Sequence, residues 1–364
     1  MSEDVRKVSA AQSQAFCQRI LEQVEVPIAD AEIVAKCLVE ANLRGVDSHG
    51  IVRLPVYVRR ITAGVINPRA SAKVVSETDT TMLLDGQNGL GMVISTQAMD
   101  KAIRKAKRKS VGIVVVRKSN HFGIAALYAM QAVESDLIGA ALTNAPAAMA
   151  PWGSTQPYLG TNPICVAVPA GREKPFVLDM ATSMATRGAL KIAEKRGEKI
   201  PLGWATDSRG RPTQDPQEAL QGSLLPIGGP KGYGLALIVD ILCGVLSGAD
   251  FGAHIGDLFG DLSRKQNLGH FFAAIDVASF MPIEDFKKRM DQIITEIKLC
   301  RRAEGVQQVF MPGEIEFLTK ERRLREGIPV SRATLFELQQ LASQVGVDFD
   351  LVVLSNEDDS PSSS

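Results

Sequence analysis

Apolar residues recur every three or four positions along the first sixty residues, and farther on that spacing gives way to short continuous apolar runs. Over 12–24 the alternation predicts a helix. Asp30 is placed to cap a second helix, with Ile33, Val34, Cys37, Leu38 and Ala41 on its apolar face and Gly45 past its end. Ile51, Leu54, Val58 and Ile61 mark a third, which Gly64 and Pro68 stop. Pro55 lies inside that pattern, so the helix either starts or kinks there. In the middle of the chain, the runs at 81–84, 111–116, 137–142, 164–168, 176–178 and 271–275 are β-branched or otherwise apolar. Gly, Pro, Asn or Asp bound them, and they read as strands. Helical spacing fills 93–108, 124–133, 189–196 and 233–246, and returns over 283–299 and 332–344. The helices do not alternate strictly with the strands. The pattern therefore predicts a mixed α/β (α+β) core and does not require a parallel doubly wound sheet.

Composition narrows the function. At 364 residues and 45% apolar, two lobes with a sizeable core are expected. Lys plus Arg and Asp plus Glu both total 41, and a chain of zero net charge lacks the basic excess of a nucleic-acid or membrane-surface binder. Cys17, Cys37, Cys165, Cys243 and Cys300 are widely spaced and form no C-x-x-C pair, which suits small buried hydrophobes in a reducing compartment better than disulfides or zinc. No secretory pattern opens the chain, and the apolar stretch 234–246 is interrupted by Asp240 and too short to span a bilayer. A cytoplasmic protein is expected. The last ten residues, 355–364, are acidic and serine-rich and are expected to be disordered.

Two of the four histidines sit in short polar loops, Asp47-Ser48-His49-Gly50 and Ser119-Asn120-His121-Phe122-Gly123. Histidine trades a proton near neutral pH, and adjacent glycine leaves room for a small molecule. His121 follows a buried-strand pattern and precedes a helix expected near Ile124, whose N-terminal N–H groups suit an anion. The plainer alternative is that Ser119 or Asn120 caps that helix and His121 is structural. Arg53 lies four residues beyond His49, so a helical backbone would put a proton carrier and a carboxylate-gripping fork on one face. The plainer alternative there is a capped helix start with a surface arginine. Gly228-Gly229-Pro230-Lys231-Gly232-Tyr233-Gly234 enters an apolar helix and places one cation at its positive end, although it could equally be a Gly-Pro turn. Asp179, at a strand end, could accept hydrogen bonds from a ribose or cap the next helix. No strand–G-x-G-x-x-G–helix unit exists, which disfavours a Rossmann site, and no H-E-x-x-H or comparable cluster suggests a metal. His254 and His270 read as structural.

Together these segments resemble the malate/L-lactate dehydrogenase type 2 family, which includes ureidoglycolate, sulfolactate and diketogulonate oxidoreductases. The resemblance runs through 44–51, 119–123, Leu159-Gly160-Thr161-Asn162-Pro163, Asp179-Met180-Ala181-Thr182-Ser183, 228–232 and Met311-Pro312-Gly313-Glu314-Ile315-Glu316. It implies a non-Rossmann nicotinamide-binding fold with a mixed central sheet and a helical domain formed by both chain ends. The corresponding boundaries are 1–75 and 285–354 for the helical domain, 76–284 for the central domain and 355–364 for the tail. It also implies NAD or NADP as cofactor, with NAD favoured, and a homodimer with active sites near the interface. By resemblance, Asp179, Met180, Ala181, Pro230, Lys231, Gly313, Glu314 and Ile315 bind the cofactor. His121 and His49 exchange the proton, and Arg53, with Ser48 and Asn120, holds the substrate. The expected reaction is hydride transfer at C2 of a small 2-hydroxy or 2-oxo acid. The alternatives are a reductase of a cyclic imino acid or diketo sugar acid, and a non-catalytic nucleotide binder. The missing ligand cluster disfavours a metal-dependent hydrolase.

Overall fold

The computed structural model describes residues 5–351. In chain order the first elements are β1 (Val5–Val8), α1 (Ala10–Gln23), α2 (Ile28–Leu43), two single 3₁₀ turns (Asp47–His49 and Ile51–Arg53) and α3 (Leu54–Thr62). Then follow β2 (Lys73–Glu77), β3 (Thr81–Asp85), α4 (Gly91–Lys109), β4 (Val111–Ser119), α5 (Ala126–Val133), β5 (Leu137–Thr143), β6 (Ile164–Val168) and β7 (Phe176–Met180). Next come α6 (Arg187–Arg196), β8 (Ala205–Thr206), α7 (Pro216–Gln221), β9 (Ser223–Leu224), α8 (Pro230–Asp240), β10 (Leu268–Asp276) and α9 (Ile283–Leu299). The chain closes with α10 (Glu314–Glu326), β11 (Ile328–Ser331) and α11 (Arg332–Val345).

The chain divides into two compact units. One comprises the chain up to Gly64 and from Ile315 onward; the other is Val65–Glu314. The boundaries expected at 75 and 284 thus fall at 64 and 314. Helix α9 belongs by its contacts to the central unit, which periodicity cannot tell. In the terminal unit β1 pairs antiparallel with β11, drawing the two chain ends together. Phe16, Ile20, Leu21, Leu38 and Leu338 form its buried interior.

The central unit is built on a seven-stranded mixed sheet in the order β2-β3-β4-β10-β5-β6-β7. Only β3 and β4 pair in parallel, because α4 carries the chain back between them; every other neighbouring pair is antiparallel. Strand β4 puts Val114 and Val116 in the core, and α4 covers the sheet with Met92, Met99, Ala102 and Ala106. The basic residues Lys107, Arg108 and Lys109 end α4 where the helix dipole favours cations.

Several expectations shift at this level. Pro55 sits in the first turn of α3 and starts it without a kink. Helix α5 starts at Ala126, not at Ile124. The helix expected over 233–246 begins earlier, at Pro230, and ends as a π-helical turn over Ile241–Val245. Strands β1, β2 and β11 and helix α10 carry too few apolar residues for periodicity to mark them; β2 is exposed throughout. The tail at 355–364 lies outside the described residues.

Candidate active site

In the central unit, β4 runs to Ser119, and the loop 120–125 then leads into α5. Neither Ser119 nor Asn120 caps α5. Ser119 is the last strand residue, and its hydroxyl lies 2.8 Å from His270 Nε2. Asn120 is buried, and its Nδ2 donates to the Gly89 carbonyl at 2.8 Å and to the Asn88 carbonyl at 3.2 Å. The half-buried His121 receives a bond from the Gly123 N–H to Nδ1 at 3.4 Å, and its own N–H donates to Gln266 Oε1 at 3.0 Å. The facing segment must approach closely: a Cβ on Gly91 would stand 2.0 Å from the Asn120 carbonyl oxygen, so only glycine fits. The histidine is therefore carried on a loop pinned from both sides.

The three stretches expected to hold a dinucleotide converge on the edge strand β7. Pro312 accepts from the Val177 N–H at 3.1 Å, and Gly313 packs against Val177. Beyond β7, Ile227 N–H donates to Thr182 at 3.0 Å and Met184 N–H to Leu225 at 2.8 Å, which brings the segment entering α8 alongside 182–184. Asp179 is exposed, and its Oδ2 accepts from the Ala126 N–H at 2.9 Å, so it caps the first turn of α5. That bond also ties the edge strand to the helix that follows His121. Gly228 and Gly229 take φ of +56° and +65°, which side chains disfavour, and a Cβ on Gly228 would meet nothing within 4 Å. Pro230 then opens α8, and the exposed Lys231 stands in its first turn. A cavity of about 580 Å³, lined by Trp152, Arg209, Leu225 and Pro226 among others, borders the same segment.

Met180 is paired with Ile164 in the β6–β7 ladder. Glu314 is held within the chain: it accepts from the Met311 N–H at 3.0 Å and pairs with Lys298 at 3.1 Å. Ala181 is half-buried and Ile315 is exposed.

In the terminal unit, the expected continuous helical face through His49 and Arg53 does not form. Gly50 is extended (φ −84°, ψ −152°) and separates two 3₁₀ turns. Arg53 nevertheless reaches back to the residue before His49, its Nε donating to the Ser48 carbonyl at 2.5 Å. The exposed Ser48 hydroxyl engages His49 Nδ1 at 2.9 Å. Burial, followed by the nearby Arg53 charge, pulls His49 from 6.5 down to about 4 and keeps it neutral at physiological pH. Burial also lowers Arg53 and pushes the Tyr57 hydroxyl well above its ordinary value. Asn42 and Arg323 fix the loop. Asn42 Oδ1 accepts from the Ile51 N–H at 2.8 Å, and the Arg323 guanidinium grips both Asp47 oxygens at 2.6 and 2.9 Å.

Sequence reasoning missed Gln266, Asn42, Arg323 and Tyr57. Tyr57 follows Arg53 at helical spacing and could have been found on that ground. The other three lie 5 to 276 residues from the groups they hold, and no motif marks them. Asp85 was also missed. It is buried, held down to about 2 despite burial by bonds from Lys118 and Gln87, and braces the turn whose Asn88 and Gly89 carbonyls accept from Asn120. Among the described residues, no group of three or more His, Cys, Asp or Glu is arranged to hold a metal. No helix among them is long and apolar enough to cross a membrane.

The family profile for malate/L-lactate dehydrogenases matches residues 8–339. The malate dehydrogenase of Pyrococcus abyssi is 44% identical over 340 residues, spanning 91% of this chain and 93% of the relative. The (2R)-3-sulfolactate dehydrogenase (NADP(+)) of Chromohalobacter salexigens is 36% identical, over 76% of this chain and 82% of the relative. The ureidoglycolate dehydrogenase (NAD(+)) of Escherichia coli K12 is 33% identical, over 82% and 85%. The solved sulfolactate dehydrogenase of Methanocaldococcus jannaschii superposes with a TM-score of 0.90 at 39% identity, over 94% of this chain and 98% of that one.

Proposed function

Because this chain belongs to the malate/L-lactate dehydrogenase family, we propose that it transfers a hydride between NAD or NADP and C2 of a small 2-hydroxy or 2-oxo acid. The observation that carries this reading is the convergence of 179–184, 225–231 and 312–313 on one edge of the sheet, tied by the Asp179–Ala126 bond to the helix that follows His121. The residues present fit a dinucleotide. Lys231 at the start of α8 offers a cation to a phosphate, the exposed Asp179 carboxylate is of the type that accepts from a ribose hydroxyl, and the side-chain-free Gly228–Gly229 turn leaves the backbone approachable. When bound, the nicotinamide supplies or accepts the hydride; the rest falls to this chain. Arg53 grips the acid's carboxylate, in a forked geometry that lysine could not match. His121 gives its proton to the C2 oxygen as negative charge develops there, and takes it back in the oxidative direction. His49, neutral at working pH and set by Ser48, orients the substrate by hydrogen bonding.

The enzyme acts as a homodimer in the cytoplasm. The exposed side chains of Leu235, Ile238, Ile241, Val245 and Leu246 form one apolar stripe on the helix that begins beside Lys231, which supports a subunit interface close to the cofactor. The decisive assay screens 2-oxo acids with NADH and NADPH, following loss of reduced-nicotinamide absorbance. Turnover on at least one acid is expected, with His121→Gln about 10²–10⁴-fold slower. Nucleotide binding without turnover across the panel would identify a binding protein instead.

A further inference from the structure

His270 reads as structural in the sequence, but its contacts lead to the reacting loop. It is wholly buried on β10, the strand next to β4. Its Nδ1 lies 2.8 Å from the Thr143 hydroxyl and its Nε2 2.8 Å from the Ser119 hydroxyl, so one ring bridges the strands on either side of β10. Its plane stacks on Phe122, with centroids 4.8 Å apart and planes 16° from parallel. Ser119 and Phe122 bracket His121 in sequence, so the ring holds the loop on both sides of the reacting residue. Gln266, at the entry to the same strand, accepts the His121 N–H. The chain between these holds is irregular, with Asn267 at φ +50° and the β10–β4 register shifting between Leu268 and His270. A core filler would need neither hydroxyl, and apolar groups of the same shape would pack there without polar partners to satisfy.

We propose that His270 is a positioning residue: through Ser119 and Phe122 it sets the place of the His121 imidazole, and so the rate of proton transfer at C2. This rests on the reading of His121 as the proton carrier. Positioning errors of about 1 Å cost on the order of a hundredfold in rate.

The test is a pair of double-mutant cycles on the whole protein. His270→Phe keeps a stacking ring and removes both hydrogen bonds; Ser119→Ala removes only the bond on the loop side. Each should lower kcat by about 10–100-fold. Each should also leave the NADH dissociation constant, read by fluorescence titration, within about twofold. In a His121→Ala background neither should slow the residual rate further, because the group they position is gone. Losses that multiply fully in that background overturn the proposal, and so does an unchanged kcat in folded Ser119→Ala. Should His270→Phe fail to fold, the Ser119→Ala cycle decides alone. Wild-type turnover in His121→Ala refutes the proton-transfer reading itself and takes this proposal with it. A large loss in His121→Ala combined with multiplying losses refutes His270 alone.

Discussion

Breaking the Asp47–Arg323 pair should loosen the loop that carries Ser48, His49 and Arg53. Asp47 accepts from Asn42 Nδ2 at 2.6 Å and from both terminal nitrogens of Arg323. The guanidinium side chain is 11% exposed and the carboxylate 45% exposed, so the pair lies between two regimes. Exposed pairs contribute about 0–1 kcal/mol, whereas removing one partner of a buried pair costs about 3–5 kcal/mol. Asp47→Ala should therefore cost about 2 kcal/mol, which is roughly 4–8 °C in the unfolding midpoint of a domain-sized unit. If the whole loss falls on the placement of the loop, kcat/KM for the acid drops up to about 30-fold. The Michaelis constant for the nucleotide should stay unchanged. Arg323→Met should do the same, and the double variant should be about 1–2 kcal/mol less damaged than the sum of the singles, because both remove one interaction. Thermal unfolding and steady-state kinetics on the four proteins measure this directly. Additive losses would show that the two residues act separately and that the pair does not hold the loop.

Arg53→Met should raise the Michaelis constant for the acid about 10–100-fold with a smaller effect on kcat, since a charge-assisted bond is lost; an unchanged constant removes Arg53 from the substrate. It should also raise the titration point of His49, whose depression owes part of its size to the Arg53 charge, readable by NMR of the imidazole. Burial lowers His270 from 6.5 to about 3, so as pH falls the unfolded chain takes up this proton first. Its contribution to stability is whole above pH 6.5 and is lost as pH falls from there to about 3, amounting to about 2 kcal/mol lost at pH 5. Urea unfolding at pH 7 and pH 5 should show that slope in the wild type and a shallower one in His270→Phe; equal slopes would contradict it. Ile238→Glu should convert a two-copy species to single chains by light scattering, and an unaltered mass would move the interface elsewhere.

Local sequence determined the elements whose periodicity is strong. The apolar runs became β3 to β7 and β10, the helical stretches became α1, α2, α4 and α9, and the loops at 47–50 and 119–123 fell between elements as their polar and glycine content requires. The motif strings, taken together, also determined the family, because their order is a property of the chain and needs no coordinates. Tertiary structure alone decided what holds each reacting group. Gly50 broke a helical face that spacing favoured, and Asp179 took the N-terminus of α5, a helix 53 residues earlier. His270 proved to be joined to Ser119 across 151 residues. Such partners are chosen by sheet order and strand register, which depend on the packing of the whole unit. A window of sequence records which side chains can form a bond, but not which distant donor the fold will bring to them.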